Sequence, residues 1–376
     1  TVGAWYPITP ATALMEGFKM FCEKFRVDKE TGLHNYAILQ AEDEIAAAGI
    51  VIGAGWAGAR SFTNTSGPGI SLMQEFIGLA YYTDIPAVFF DVQRCGPATG
   101  MPTRTQQADL MSLAYASHGD TKHLILFPCN PREAFEMAVT SFDLAERFQT
   151  PVFVASDLDI GMNDWMVKRF EWDDSYRPDR GKVLDAAGLE QVQKFSRYLD
   201  VDGDGIAART LPGIGGKGAY FVRGSGHDKH AAYTEDSDAY QEVVDRLTRK
   251  FAHAATAMPK PAFTLQDGAD VGLVTIGGCD AAVREAADKL RAQGIVVDVM
   301  RIRGFPFGEE VRDFLSKHER TFVIEQNRDA QLKSLITIEL HVAPDSLTSI
   351  LDYGGMPLTA KVVVDAVTSH LAGVPA

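Results

Sequence analysis

The 376-residue sequence is poor in cysteine and has no paired cysteine motif. Its four cysteines are far apart, with no C-x-x-C spacing: Cys22, Cys95, Cys129 and Cys279. Disulfide frameworks and zinc sites use regularly spaced cysteines, so these residues are predicted to be free, buried thiols. An iron–sulfur cluster held by this chain alone is not expected, because such a cluster needs closely spaced thiolates.

The sequence is also poor in positive charge and lacks a long apolar run. Its 36 basic and 50 acidic residues give a formal net charge of -14, which argues against nucleic-acid binding. No stretch approaches the ~18 apolar residues of a membrane span. With no signal peptide, a cytoplasmic protein is expected. The chain starts at Thr1 without an initiator Met, which indicates a preceding N-terminal portion.

Helix and strand patterns alternate over residues 1–165 and predict a doubly covered α/β domain. The continuous apolar run Ala87–Val92 is typical of a parallel strand buried on both faces. Residues 166–262 are polar and aromatic, and they predict a long linker arm with a helix near Asp236–Ala255. Residues 263–376 predict a second, C-terminal α/β domain.

The segment Gly53–Gly58 spells G-x-G-x-x-G, the fingerprint of dinucleotide-binding loops. A true fingerprint joins a strand to a helix and is followed by an acid about 20 residues on. Here the preceding residues are Ala-rich, and Glu75, which has the spacing, lies in a helical pattern. We predict that these glycines pack a helix closely. NAD or FAD binding remains an alternative.

Three consecutive acids, Glu42, Asp43 and Glu44, precede the Ala/Gly-rich run. Carboxylates are favoured in a first helical turn, so a solvated helix start is one interpretation. The other is that Glu44, followed by apolar residues, enters a site as a desolvated carboxylate. Thr9, followed by Pro10, is predicted to cap the next helix.

Several motifs together carry a family resemblance. They follow one another as YPITPAT at 6–12, Glu44 before the Ala/Gly run, TSGPG at 65–69, VQRCGPATGMPT at 92–103, QADL at 107–110, and EQNRDAQL and YGGMPLTAK near the end. The chain resembles the α subunit of 2-oxoacid:ferredoxin oxidoreductases, specifically the 2-oxoglutarate branch. The resemblance implies a pyrimidine-binding parallel-sheet domain of the thiamine-enzyme type and a C-terminal transketolase-C-like domain.

The resemblance also implies the reaction and the partners. In this family a 2-oxo acid such as 2-oxoglutarate is decarboxylated on thiamine diphosphate, electrons pass to ferredoxin, and coenzyme A accepts the acyl group. The β subunit holds the diphosphate, its Mg and a 4Fe-4S cluster, in an (αβ)2 assembly. Gly203-Asp204-Gly205 begins a diphosphate motif here, but no Asn-Asn follows it. Two other readings stay open: a subunit for another 2-oxo acid, and a non-catalytic scaffold.

By the resemblance, Glu44 activates the cofactor through its aminopyrimidine, and Thr65 and Ser66 contact the cofactor. Arg94, directly after a buried strand, would bind the substrate's 1-carboxylate, and Thr9 would hydrogen-bond the same carboxylate or the keto oxygen. Arg104 would pair with the distal carboxylate of 2-oxoglutarate.

The run from Asp200 to Gly205 begins like an EF-hand loop, but Leu211 stands where the bidentate Glu would be. A hydrogen-bonded turn is one interpretation. A structural ion on Asp200, Asp202 and Asp204 is the other.

Overall fold

The computed structural model describes residues 1–373, which fold around two β-sheets. The strands are β1 Val2–Trp5, β2 Ala37–Gln40, β3 Ser61–Thr65, β4 Ala87–Gln93, β5 Leu124–Leu126, β6 Pro151–Asp157, β7 Ala262–Thr264, β8 Val271–Thr275, β9 Val297–Arg301, β10 Gly304–Phe305, β11 Arg320–Glu325 and β12 Leu347–Leu351. The α-helices are α1 Thr12–Phe25, α2 Glu44–Trp56, α3 Gly67–Tyr82, α4 Leu110–Ala114, α5 Pro131–Phe148, α6 Leu158–Met162, α7 Ala186–Gln191, α8 Ser237–Ala254, α9 Asp280–Ala292, α10 Glu309–Lys317, α11 Gln331–Leu340 and α12 Ala360–Leu371.

The predicted α/β class is confirmed, with one sheet in each half of the chain. The first sheet has the order β10-β5-β6-β4-β3-β1-β2 and is parallel except for β10. The second has the order β12-β11-β8-β9-β7 and is parallel except for β7. Because β10 follows β9 in the chain but pairs with β5, it joins the C-terminal half to the edge of the first sheet.

Strand β4 lies in the middle of the first sheet, and its sequence explains its place. Its side chains from Ala87 to Phe90 are buried on both faces, as the apolar run predicts. On one face, Phe89 and Ile125 share a core with Val274 and Met300 of the second sheet. The two sheets are therefore packed together, and the carboxyl end of β4 lies in a fixed position relative to the C-terminal half.

The segment at 166–262, predicted to be a linker arm, contains α7 and α8 and adds only β7, at its end, to a sheet. It lies against the first sheet. Arg246 and Lys250 of α8 and Arg197 of the arm are buried beside Asp84, which precedes β4. Charged groups therefore join the arm to the domain, and its apolar residues Ile206, Ala254 and Met258 share a core with the first sheet. Over residues 1–373, no helix combines the length and the apolar character needed to cross a membrane.

Candidate active site

The three acids that open α2 adopt different roles. Asp43 is the N-cap, and its Oδ1 accepts a hydrogen bond from the Ala46 N–H at 2.7 Å. Glu42 is exposed, whereas Glu44 is only 7% exposed. Because Asp43 caps the helix, Glu44 is not needed for that role, and its side chain packs with its Cγ toward Gly69. The structure thus buries the acid that the sequence selected, and its role stays a prediction.

The turn from β3 into α3 brings Glu44 and Thr65 together across a glycine. A Cβ atom at Gly69 would lie 1.9 Å from Thr65 Oγ1 and 2.9 Å from Glu44 Cγ, so a larger residue would displace one of them. Ser66 Oγ is buried and has no hydrogen-bond partner among the described residues. The largely buried Glu44, the unpaired Ser66 hydroxyl and the N-terminus of α3 lie close together, and these groups fit a polar heterocycle such as the thiamine pyrimidine.

Arg94 follows β4 at the carboxyl edge of the same sheet and is 6% exposed. Its Nη1 donates a hydrogen bond to the Thr9 carbonyl, and its Nη2 donates to the Thr99 carbonyl at 3.0 Å. Burial lowers the pKa of Arg94, and the nearby Asp109 opposes that change. The guanidinium nevertheless stays protonated. Since Arg94 forms no ion pair within the described residues, its charge is available to an anionic ligand.

The prediction that Thr9 caps the following helix is wrong. The N-cap of α1 is Ala11, and no side chain caps it. Thr12 interacts with the loop instead: its Oγ1 accepts from the Ile8 N–H at 3.1 Å and lies 3.2 Å from the Ile8 carbonyl. Thr9 is exposed at the mouth of the site and contributes its carbonyl to Arg94.

Two aspartates that were not predicted lie beside Arg94. Asp91, on β4, is 0% exposed, and Asp109, just before α4, has an inaccessible Oδ2. Burial first, and then the nearby Asp109 charge, raise the pKa of Asp91 well above its usual range. A Cβ at Gly67 would lie 2.8 Å from both oxygens of Asp109, which places this carboxyl at the start of α3. The α3 N-terminus therefore separates the Asp109 carboxyl from Glu44.

The C-terminal half fixes the loop that follows Arg94. The Thr105 N–H donates to the Gly355 carbonyl at 3.2 Å, and the Gln107 N–H donates to the Gln326 carbonyl at 2.8 Å. Asn327 Nδ2 donates to the Gln107 carbonyl at 2.9 Å. These contacts give the late EQNRDAQL and YGGMPLTAK motifs a structural role. They support the site loop from the second domain.

Arg104 lies on the outer side of that loop. It is exposed, and its Nη1 donates to the Thr103 carbonyl at 3.0 Å. Its Cβ lies 3.1 Å from where a Cβ of Gly355 would be, so the second domain packs against its base. No contact among the described residues brings the guanidinium to Arg94. Its assignment to a distal carboxylate stays a prediction.

The Asp200–Gly205 loop brings its three carboxylates together, as the sequence predicts. One oxygen from each of Asp200, Asp202 and Asp204 lies within 4.8 Å of the others. Lys182 reaches the same cluster, with its Nζ 2.7 Å from Asp202 Oδ1 and 2.8 Å from Asp204 Oδ1. The ammonium neutralises charge that an ion would otherwise balance. The tentative ion remains a prediction, away from the candidate active site.

The dinucleotide interpretation of Gly53–Gly58 is wrong. Gly53 and Gly55 lie within α2, so their N–H groups serve the helix and cannot cradle a phosphate. A Cβ at Gly55 would lie 2.2 Å from the Pro86 carbonyl oxygen, which shows the close packing expected of these residues. Gly58, with φ of 94°, ends the helix.

The unpredicted residues left signals in the sequence. Asp91 interrupts the apolar run AVFFDV, and a charge in a strand buried on both faces indicates a special environment. Asp109 belongs to the QADL motif, which is part of the family resemblance but whose residues were given no role. Their pairing depends on the fold of the loop between them, and the sequence does not show it.

Comparison with known proteins defines first a class and then a family. Residues 1–172 match the family described as pyruvate flavodoxin/ferredoxin oxidoreductase, thiamine diphosphate-binding. The N-terminal half is thus a thiamine diphosphate-binding domain. A 2-oxoacid:ferredoxin oxidoreductase α subunit of Aeropyrum pernix is 35% identical over 378 residues, 96% of this chain and 57% of the relative. The 2-oxoglutarate synthase subunit KorA of Methanothermobacter thermautotrophicus is 32% identical over 328 residues, 86% of this chain and 82% of that subunit.

The chain belongs to the 2-oxoacid:ferredoxin oxidoreductase α-subunit family. It spans 57% and 52% of the length of the two Aeropyrum relatives. Among solved structures, the 2-oxoglutarate:ferredoxin oxidoreductase of Magnetococcus marinus, with 2-oxoglutarate, coenzyme A and succinyl-CoA bound, has a TM-score of 0.83 and 28% identity, over 98% of this chain and 62% of that one. A split-gene transketolase, at 13% identity and a TM-score of 0.50 over 98% of this chain and 92% of that one, shows the fold alone.

Proposed function

We propose that this chain is the α subunit of an enzyme that oxidatively decarboxylates 2-oxoglutarate to succinyl-CoA, or runs the reverse reaction, with ferredoxin as electron carrier. Relatives named 2-oxoglutarate synthase subunits and the Magnetococcus structure support 2-oxoglutarate. Relatives named only for 2-oxo acids support a broader substrate class, which is the second candidate. In either case the chemistry begins with loss of carbon dioxide from a 2-oxo acid.

The observation that carries the proposal is the burial of the Glu44 side chain, with its Cγ against Gly69 at the start of α3. When bound, thiamine diphosphate supplies the carbon nucleophile and electron sink for decarboxylation. Glu44 would hold a proton at N1′ of the aminopyrimidine, and Thr65 and Ser66 would border the ring.

The test compares Glu44→Gln with Glu42→Gln in the complex as purified. Glu42 is the matched control because it is an exposed glutamate of the same cluster. We expect Glu44→Gln to lower 2-oxoglutarate-dependent viologen reduction by about 10²- to 10⁴-fold. Assembly should survive, and Glu42→Gln should retain activity. Near-normal turnover by Glu44→Gln would favour the scaffold alternative.

Arg94 is proposed to bind the 1-carboxylate, since it is a buried cation at the carboxyl edge that forms no ion pair with any residue of 1–373. Arg104 is proposed to pair with the distal carboxylate of 2-oxoglutarate. Arg104→Met should then raise KM for 2-oxoglutarate about tenfold more than KM for pyruvate. Equal changes for both substrates would remove this assignment and leave the broader 2-oxo acid class.

A β subunit is proposed to complete the site with the diphosphate and Mg site and a 4Fe-4S cluster. The sequence supports this, since no Asn-Asn follows Gly203-Asp204-Gly205 and no closely spaced cysteines occur. Exposed apolar side chains support a protein interface on this side of the first sheet: α1 exposes Met20, Phe21 and Phe25, the loop after it exposes Leu33, and the edge strand β2 exposes Leu39. Co-purification of a cluster-containing partner, in an (αβ)2 stoichiometry, tests this part.

A further inference from the structure

Asn64 is a buried amide in an apolar part of the first sheet. It lies on β3 opposite Phe90 of β4 and is 0% exposed. Because side chains alternate along a strand, Asn64 shares its face with Phe62, whose ring packs edge-on against Phe18 of α1 with the ring centroids 4.8 Å apart. An amide that water cannot reach needs hydrogen-bond partners within the protein, so the contacts of Asn64 indicate its role.

The Asn64 amide forms one hydrogen bond within the described residues, to a backbone carbonyl. Its Nδ2 donates to the Ala11 carbonyl at 2.7 Å, whereas its buried Oδ1 receives no hydrogen bond from any residue of 1–373. Since a carbonyl only accepts, the nitrogen of the amide must be the atom that faces Ala11. For stability alone, an apolar side chain of the same shape would avoid the unpaired oxygen. The amide therefore serves the bond to Ala11.

Ala11 is the last residue of the β1–α1 loop, residues 6–11, which connects β1 to α1. This loop crosses the carboxyl ends of two neighbouring strands. Asn64 of β3 holds it at Ala11, and two residues earlier Arg94, which follows β4, donates from Nη1 to the Thr9 carbonyl. Asn64 and Arg94 thus bind the same short segment of backbone from adjacent strands.

The orientation of the Arg94 guanidinium depends on the position of this loop. Its Nη1 is held by the Thr9 carbonyl and its Nη2 by the Thr99 carbonyl at 3.0 Å, so a displacement of either carbonyl would turn the guanidinium. No side chain caps α1 at Ala11. The bond from Asn64 is therefore the side-chain contact that ties the start of α1, and with it the loop, to the sheet.

We propose that Asn64 is a positioning residue: by holding Ala11 it fixes the β1–α1 loop, and the loop keeps Arg94 in the orientation that binds the carboxylate of a 2-oxo acid. The identity of that ligand rests on the proposed function. Thr65, the next residue on β3, lies on the opposite face of the sheet, against Gly69. Asn64 therefore acts on substrate affinity through Arg94 and leaves the proposed cofactor contacts in place.

The test compares Asn64→Leu with Thr63→Val in the complex as purified. Leucine has nearly the shape of asparagine but no donor, whereas valine at 63 removes a buried hydroxyl that has no partner among the described residues. Asn64→Leu should raise KM for 2-oxoglutarate about fivefold or more, with kcat and KM for coenzyme A within about twofold. Thr63→Val should leave all three constants within about twofold. An unchanged KM for 2-oxoglutarate in Asn64→Leu, or an equal rise in both KM values, would overturn the proposal.

A second variant covers the case in which Asn64→Leu does not assemble. Asn64→Thr keeps a polar side chain of similar size that suits a strand, but its hydroxyl is too short to reach the Ala11 carbonyl. The same selective rise in KM for 2-oxoglutarate is expected. A wild-type KM in Asn64→Thr would show that the bond to Ala11 does not set the position of Arg94.

Hydrogen–deuterium exchange tests the anchoring of the loop without turnover. The Thr12 N–H donates to the Ile8 carbonyl of the loop at 3.0 Å, so its exchange reports whether the loop stays in place. In Asn64→Leu or Asn64→Thr this amide should exchange about threefold or more faster than in Thr63→Val. A wild-type complex that turns over no 2-oxo acid would refute the proposed function, whereas unchanged exchange in the Asn64 variants would refute the anchoring itself.

Discussion

Strand β4 has a buried aspartate near each end, and the pKa values of these two aspartates shift in opposite directions. At the amino end, Asp84 is 1% exposed, with Arg246 Nη1 at 2.7 Å and Arg197 Nη1 at 4.0 Å from its Oδ2, and Lys250 bonded to Oδ1. Burial alone would raise the pKa of Asp84, but these cations lower it to about 2. At the carboxyl end, Asp91 meets another acid, and its pKa rises.

The amino end of β4 attaches the arm to the first domain, whereas the carboxyl end of β4 lies at the candidate active site. The Asp84 cluster joins the arm and α8 to the domain, because Arg197, Arg246 and Lys250 all lie within 4.0 Å of its one carboxylate. At the carboxyl end, by contrast, Arg94 forms no ion pair within the described residues, and Ser66 Oγ and both Asp91 oxygens have no hydrogen-bond partner there. A stable fold does not require such gaps, and a ligand can fill them. Substitutions at the two ends should therefore affect stability and activity differently.

The largest effect on stability is expected from Asp84→Asn. Asparagine tolerates the positive φ of 55° at this position, so the substitution changes the charge and little of the backbone. Three buried cations would lose their counter-charge, and the free energy of unfolding should fall by about 3–5 kcal/mol, measured by urea titration.

The control for this variant is Asp365→Asn, which removes an exposed carboxylate paired with Lys361 on α12. It should change the free energy of unfolding by no more than about 0.5 kcal/mol. If the Asp84 variant were no less stable than this control, the amino end would not be the attachment that the contacts indicate.

The next effect is a pH dependence at the amino end, from His123. Burial first, and Lys250 as a smaller cause, lower the pKa of this histidine from 6.5 to about 4. The unfolded chain binds a proton below pH 6.5 that the folded chain refuses until about pH 4. Stability should therefore fall by about 3 kcal/mol as pH drops through this window.

His123→Gln should remove that part of the pH slope, as followed by urea unfolding between pH 7 and pH 4. Its Nε2 lies 2.8 Å from the Ala116 carbonyl, a bond that the Gln amide can replace. The control is His118→Gln at an exposed site, which should keep the wild-type slope. An unchanged slope in His123→Gln would mean that another group titrates in this range.

At the carboxyl end, Gly69→Ala should cost about 1–3 kcal/mol of stability through overpacking. The added methyl would press on Thr65 Oγ1 and Glu44 Cγ, so one of these side chains must shift. Activity should fall by more than the loss of folded protein explains, because the shift displaces the proposed cofactor contacts. Viologen reduction per folded complex measures this. Full specific activity would show that the cradle tolerates the methyl group.

Much of the fold was predictable from the sequence because long apolar strands and periodic helices carry local signals. The apolar β4 run and the helix close to α8 are examples. The short strands β7 and β10 were not predicted, since two or three residues carry no pattern. The pairing of β10 with β5 joins distant segments, so it also depends on the packing of the two halves.

The candidate site was predictable where one residue carries the chemistry in its local context. Glu44 before an apolar run and Arg94 after a buried strand are of this kind, and the family resemblance gave them roles. The aspartate pair and the support of the site loop by Gln326 and Gly355 were not predictable, because they arise from tertiary contacts. The wrong prediction of a cap at Thr9 has the same origin. At the start of α1 the hydroxyl of Thr12, and not that of Thr9, forms the hydrogen bonds with the preceding loop, at Ile8.

The smallest effect is expected at the far end of α2, from Gly53→Ala. The two ends of this helix also differ in role, as the two ends of β4 do. Glu44 begins the helix at the candidate site, whereas Gly53 is exposed near its other end. A Cβ at Gly53 would meet nothing within 4 Å, so alanine should stabilise the helix by about 0.5–1 kcal/mol. Because these glycines cradle no phosphate, 2-oxo acid turnover should be unchanged. Lost turnover with intact assembly would return a binding role to the G-x-G-x-x-G segment and contradict its assignment as packing alone.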